Sequence, residues 1–204
     1  HEVLIVVSPK SPAKTLEICE GCVKTHPRVK VLVQQQTPGV GYAYREGMDK
    51  ATGNLMVLMD SDGEMDVEDV PKMLACQRAT GADLVVASRW LPGGGVEGYE
   101  PVKYVLNRGY QIIFRALYWT RIHDLTFGFK LAKTDVLRAV RFSSQFQEIG
   151  CEVTLRILRA GYKVAEVPTR WVKRKEGLST NPLGRNMRYA RLALSIWREN
   201  NARQ

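Results

Sequence analysis

Apolar residues in this chain collect into two kinds of segment. Short apolar-rich runs, Val3–Val7, Val29–Val33, Leu55–Met59, Leu84–Ala87 and Val164–Val167, predict strands, the first ended by Ser8-Pro9 and the last by Pro168. Between them apolar residues return every three or four positions, the spacing of one helix face. Leu16, Cys19 and Val23 do so over 13–26, Met48 and Ala51 follow Arg45, and Val70, Met73 and Leu74 share a face with Gln77 over 67–80. Pro71 falls in the first turn of that helix, where proline is tolerated. Further short helices are expected up to Val140 and from Glu148 to Ala160, the latter capped by Gly161. Strands alternating with helices predict an α/β fold, a mostly parallel sheet flanked by helices, in one domain spanning 1–204.

Two stretches depart from this rhythm. From Val102 to Thr120 apolar residues cover most of a long helix, broken by Arg108 and Arg115; burial is the default for such a helix and contact with lipid the alternative. Near the end, Met187, Ala190, Leu194 and Trp197 form one stripe and Arg188, Arg191 and Arg198 another, a basic amphipathic helix at about 184–199. The glycine-rich stretch 93–98 reads as a loop.

Charge adds candidate chemistry to this framework. The run Leu55–Met59 reads as a buried parallel strand that stops in Asp60, Asp62 and Glu64, whose alternation puts three carboxylates on one face if the backbone stays extended. Open α/β sheets bind ligands at the carboxyl ends of their strands. Clustered carboxylates repel one another unless a cation sits among them, so the spacing suits Mg²⁺ or Mn²⁺ holding a diphosphate. Acids are common in loops, and a D-x-D motif alone would not carry that reading. A second strand ends in Ser88-Arg89-Trp90 and delivers a positive charge to the same edge. The turn Thr37–Ala43 carries Gly39 and Gly41 at a helix start, where a ligand phosphate could approach backbone N–H groups; without dinucleotide spacing, a plain turn fits equally well.

The net charge of +9 is concentrated late, with twelve Lys and Arg from Arg156 onward against Glu166, Glu176 and Glu199. It implies an anionic partner: a phosphate-bearing substrate, an anionic membrane surface or nucleic acid. Nucleic acid is disfavoured because the basic residues are not interleaved with aromatics in any recognised module. Cys19, Cys22, Cys76 and Cys151 are scattered, which suits reduced thiols in the cytoplasm; Cys19 and Cys22 with His26 resemble half a zinc site that no second pair completes. Nothing reads as a signal peptide, and no apolar run approaches the roughly 20 residues a spanning helix needs. The expectation is a soluble or peripheral protein on the cytosolic face of a membrane; oligomeric state is not legible.

Five motifs in order give the chain a family resemblance: Gly39-x-Gly41-x-Ala43 with Arg45, Ala51 and Gly53; Asp60-Ser-Asp62; Ala87-Ser88-Arg89-Trp90; Asp124-x-x-x-Gly128-Phe129-Lys130; and Arg174-x-x-Gly177-x-Ser179. Together they resemble the family-2 glycosyltransferases of GT-A fold, and among them the polyprenyl-phosphate sugar transferases of the dolichol-phosphate mannose synthase type. The resemblance implies inverting transfer of a sugar from a nucleotide diphosphate sugar to a polyprenyl phosphate. It implies Asp60, Asp62 and Glu64 on Mg²⁺ or Mn²⁺, with Glu64 where such synthases usually have Gln. Gly39, Gly41, Arg45 and Asp60 would contact the donor, and Arg89, Arg108, Arg174 and Ser179 would cradle the acceptor phosphate. Asp62, Arg89 and Asp124 would act in the reaction, Asp124 orienting donor hydroxyls or serving as base toward an alcohol. A phosphate monoester is already an anion and needs no general base, which accords with the absence of a catalytic-looking histidine.

Two departures qualify the resemblance. The family's opening strand with Pro-x-x-Asn-Glu does not precede His1, and Ser8-Pro9-Lys10-Ser11 stands where Asp-Asp-Gly-Ser is usual. A fragment, or a chain with an altered donor pocket, is therefore expected, lacking a strand that would lie inside the sheet. Thr180 replaces the Lys that often follows Ser179. Two alternatives stay open: transfer to a glycan or protein hydroxyl with Asp124 as base, and a non-catalytic family member acting as a binding subunit.

Overall fold

The computed structural model describes residues 1–36, 39–174 and 183–201. Its elements follow the alternation of the sequence: β1 (Val3–Val7), α1 (Ala13–Thr25), β2 (Val29–Val33), α2 (Val40–Lys50), β3 (Leu55–Leu58), a 3-10 turn (Val67–Asp69) leading into α3 (Val70–Thr80), and β4 (Leu84–Ser88). There follow β5 (Gly95–Glu97), α4 (Pro101–Tyr118), β6 (Lys130–Lys133), α5 (Thr134–Ala139), α6 (Ile149–Arg159), β7 (Val164–Pro168), β8 (Arg170–Val172) and α7 (Leu183–Asn201).

The central sheet has the order β3-β6-β4-β7. β6 runs antiparallel to both β3 and β4, and β7 runs parallel to β4, so β3, β4 and β7 share one direction and end at one edge. The expected parallel neighbour of β3 is thus the reversed strand β6. A separate parallel pair, β1-β2, carries α2 against β1.

All five residues of β4 are buried, and its side chains alternate between two cores as strand geometry requires. Leu84 and Val86 join Met48, Leu58 and Val153 on the face covered by α2, α5 and α6. Val85 and Ala87 join Met73, Phe129 and Trp171 on the face covered by α3 and the β8 region. An apolar run with no alternation is what a strand covered on both faces needs.

Two segments differ from expectation. The glycine-rich stretch contains β5, which pairs with β8 because Gly95 N donates to Thr169 O and Val96 comes into register with Trp171. In α4 only Gln111 and Phe114 are buried, so the default of a buried helix is corrected: much of its apolar surface faces outward. Gly161 takes φ +81° after α6, the left-handed conformation that ends a helix at little cost for glycine.

Candidate active site

A cleft opens where β3 and β4 end and β6 begins. Asp60 and Glu64 line it from the β3 loop, Arg89 from β4, Lys103 and Tyr110 from α4, and Trp171 from β8. Its acids are unequally engaged. Asp60 Oδ1 accepts from the Tyr44 hydroxyl at 3.0 Å. Burial raises the Asp60 carboxyl above the ordinary range; Tyr44 opposes this, and Asp62 and Glu64 push it further up. Asp62 accepts from Glu64 N at 3.2 Å and lies 3.4 Å from Arg174 Nη1. Glu64 accepts from Trp171 Nε1 at 3.1 Å and lies 3.9 Å from Arg174 Nε.

Among the described residues no three His, Cys, Asp or Glu side chains gather as a metal site. Of the three expected ligands, the Glu64 carboxylate turns to Trp171 and Arg174. Asp60 and Asp62 fit a hard divalent cation: both present oxygen donors, and a cation would offset the burial that raises Asp60 and the repulsion from Asp62 and Glu64 that adds to it. Mg²⁺ is commonly held by one or two carboxylates and completed by substrate phosphate oxygens, which two acids at a diphosphate would allow.

The positive strand end is organised differently. Arg89 Nε donates to Asp124 Oδ2 at 2.7 Å and Nη2 to Oδ1 at 3.0 Å, while Nη1 donates to the Tyr99 hydroxyl at 3.0 Å. Phe127 N donates to Asp124 Oδ1 at 3.2 Å, and Asp124 N donates in turn to Glu166 Oε1 at 2.9 Å. Asp124 is 0% exposed; burial would raise its carboxyl, but Arg89 more than offsets this and holds it low. Asp124, expected to orient donor hydroxyls or to serve as base toward an alcohol, is sealed here and holds Arg89 and the backbone of the 124–127 loop. Arg89, expected in a phosphate cradle, lines the cleft with its fork engaged by Asp124 and Tyr99.

The donor-side expectations move as well. A Cβ at Gly41 would lie 2.1 Å from Ser144 O and one at Gly39 2.5 Å from Gln145 O, so the close approach these glycines allow is to the chain's own 144–145 backbone. Gly41 N, expected near a donor phosphate, donates to Gln145 O at 2.9 Å. Arg45 donates to Ser144 O at 2.6 Å, stacks on Tyr42, and lines a separate hollow with Arg138 and Arg141. Arg108 lies over the Trp90 ring at 5.2 Å and is not part of the cleft lining. Ser179 lies outside the described residues.

Sequence reasoning passed over Lys103, whose Nζ sits 4.5 Å from the Tyr99 ring centre and 4.9 Å from that of Trp171. The signal was present in helix spacing: Lys103, Leu106, Asn107 and Tyr110 fall on one face of α4, and all four line the cleft.

The family model for glycosyl transferase family 2 matches residues 1–141. The chain is 30% identical over 201 residues to a polyprenol monophosphomannose synthase of Mycolicibacterium smegmatis, covering 95% of this chain and 75% of that protein. It is 29% identical over 183 residues to an undecaprenyl-phosphate mannosyltransferase of Micrococcus luteus, covering 86% and 74%. Among solved structures, glucosyl-3-phosphoglycerate synthase from Mycobacterium tuberculosis in complex with uridine diphosphate aligns with TM-score 0.65 at 16% identity, covering 95% of this chain and 68% of that one. The same enzyme with Mn²⁺, uridine diphosphate and glucosyl-3-phosphoglycerate aligns with TM-score 0.66 at 16% identity, covering 96% and 68%. These likenesses show the GT-A fold.

Proposed function

Because the chain belongs to glycosyl transferase family 2, and is a glycosyltransferase of GT-A fold, we propose that it transfers a sugar from a nucleotide diphosphate sugar to a polyprenyl phosphate. The observation that carries this reading is one cleft lined both by carboxylates at the end of β3 and by Lys103, whose ammonium lies over the Tyr99 and Trp171 rings. Carboxylates that take a cation suit the donor diphosphate; an ammonium flanked by Tyr99 and Trp171 suits a second, separate phosphate. Both mannosyl relatives are named for polyprenyl phosphate acceptors, which supports that class and makes a nucleotide diphosphate mannose the first donor to try.

In this reading Asp60 and Asp62 hold Mg²⁺ or Mn²⁺, which when bound neutralises the departing nucleotide diphosphate. Arg174 lies beside Asp62 and Glu64, and Lys103 orients the lipid phosphate. One of its oxygens forms a bond to the anomeric carbon as the bond to the donor diphosphate breaks; the electron pair leaves on the diphosphate and the configuration inverts. A phosphate monoester attacks as an anion, so a sealed Asp124 costs the reaction nothing, whereas a hydroxyl acceptor would need it as base. The reaction would take place at the cytosolic face of a membrane holding the acceptor.

The test supplies the protein with polyprenyl phosphate, a panel of nucleotide diphosphate sugars and Mn²⁺ or Mg²⁺, and follows the lipid-linked sugar by mass spectrometry. A product that vanishes on chelation is expected. Donor binding without turnover across the panel would overturn this reading in favour of a binding subunit.

A further inference from the structure

We propose that Trp171 is a positioning residue of the cleft: its indole N–H withholds the Glu64 carboxylate from the cation, and its ring seats the ammonium of Lys103. The inference rests on the reading above, in which Asp60 and Asp62 take the cation and Lys103 the acceptor phosphate, and it names the side chain that joins those two parts.

The main chain brings Glu64 to Trp171 first. In β8 the alternation of a strand buries Trp171 and leaves Arg170 and Val172 exposed. Met65 pairs antiparallel with Trp171, and Val172 N donates to Glu64 O at 3.4 Å, so the acid loop is tied to β8 through its backbone. Trp171 Nε1 then donates to Glu64 Oε2 at 3.1 Å, while Glu64 Oε1 lies 3.9 Å from Arg174 Nε. Both oxygens of this carboxylate have a partner on the β8 side.

That hold has a chemical consequence. Mg²⁺ is commonly bound through one or two carboxylates, with substrate phosphate oxygens completing its shell. A third carboxylate, two positions beyond Asp62, would take a place that the diphosphate needs. An indole N–H can only donate, so it engages Glu64 without competing for the cation.

The same ring reaches the other part of the cleft. Trp171 is 5% exposed and packs edge-on against Tyr99, with ring centres 4.7 Å apart at 86°. Tyr99 is fixed in turn by Arg89 Nη1, which donates to its hydroxyl at 3.0 Å. Lys103 Nζ lies 4.9 Å from the Trp171 ring centre and 4.5 Å from that of Tyr99, within reach of both ring faces. One side chain therefore touches the acid loop and the cation of α4 together.

The experiment titrates the whole protein with Mn²⁺ alone and counts free Mn²⁺ by its paramagnetic resonance. Trp171→Phe keeps a ring and loses the N–H; it should bind Mn²⁺ about fivefold more tightly, as Glu64 joins the ligands. Glu64→Gln should change the parent's Kd by no more than about threefold and abolish the gain in the Trp171→Phe background. Trp171→Leu should share the tighter Mn²⁺ binding and also raise KM for a water-soluble prenyl phosphate about three- to fivefold, the worth of one cation–ring contact, while Trp171→Phe leaves that KM within about twofold. In nitrogen-15 spectra without metal, the indole N–H resonance missing from Trp171→Phe should move upfield in Glu64→Ala. The Glu64 variants leave Trp171 in place and carry the test if its replacements do not fold. A loss of tenfold or more in Mn²⁺ affinity by Glu64→Gln in the parent would put Glu64 on the cation and overturn the proposal. An indole resonance indifferent to Glu64→Ala, or a folded Trp171→Phe that binds Mn²⁺ as the parent does, would overturn it too. A parent that takes up no Mn²⁺ while the resonance still moves in Glu64→Ala would reject the cation reading and uphold the hold on Glu64.

Discussion

Two strand ends bring opposite charges to the same edge of the sheet, and the protein treats them differently. At the end of β4, Arg89 and Asp124 are buried, bidentate and surrounded by Tyr99 and backbone N–H donors. At the end of β3, Asp60, Asp62 and Glu64 share an uneven set of partners, and burial raises Asp60 instead of being offset. A charge whose hydrogen bonds are complete inside the protein holds structure; a charge left partly unanswered in a cleft is available to a ligand.

The comparison breaks most visibly at the closed end. Arg89→Leu leaves Asp124 buried without its counter-ion, which should cost about 3–5 kcal/mol, read from the urea midpoint. The double variant Arg89→Leu, Asp124→Leu should recover much of that loss, because a buried pair contributes little net stability when both members are replaced by apolar groups. A double variant no more stable than the single would mean that Arg89 has partners beyond Asp124 of equal weight.

At the open end the effect should fall on rate. Asp62→Asn should lower transfer on the order of 100-fold, about 2.7 kcal/mol of transition-state stabilisation, while changing unfolding stability by less than about 0.5 kcal/mol. Chelation should bring the parent down to the level of the variant and leave the variant unchanged. A variant as active as the parent would remove Asp62 from the metal site.

Beneath both ends lies Lys130, 0% exposed and donating to Phe127 O. Burial lowers its ammonium to about 8, and Asp124 opposes the shift. Between that value and the ordinary lysine value near 10.4 the unfolded chain holds a proton that the folded one has released, so this group's contribution to stability grows as pH rises through the window. Relative to Lys130→Met, the parent should gain about 1–2 kcal/mol between pH 8 and pH 10. A flat difference would place the ammonium against more negative charge than Asp124 and Glu166 supply.

Much of this arrangement is readable in the chain because it depends on local period. The runs at 84–87 and 164–167 and the helix spacing over 70–80 mark the strands and helix that the structure places there. What escaped depends on contacts between distant residues. Asp124 and Arg89 are 35 positions apart, and no spacing announces that one seals the other. Gly41 reads like a phosphate turn, yet its lack of a side chain answers to Ser144, about a hundred residues away. A helix apolar nearly all round reads as buried; only the small face of α4 that carries the buried Gln111 and Phe114 reveals how much is left outside.

The smallest expected effects separate two cations of α4 that sequence alone cannot rank. The family resemblance implies Arg108 at the acceptor phosphate, but its guanidinium lies over Trp90 and outside the cleft lining. Lys103 lines the cleft with its ammonium over the Tyr99 and Trp171 rings, where a phosphate in the cleft would meet it. Lys103→Gln should therefore raise KM for a water-soluble prenyl phosphate roughly tenfold, about 1.4 kcal/mol, with KM for the nucleotide sugar unchanged. Arg108→Gln, measured with the same soluble acceptor, should change either constant by no more than about threefold, since a half-buried cation on a ring outside the cleft contributes about 0.5–1 kcal/mol. Equal losses from the two variants would erase the distinction between a residue inside the cleft and one beside it, and would place the acceptor phosphate on the Trp90 side of α4.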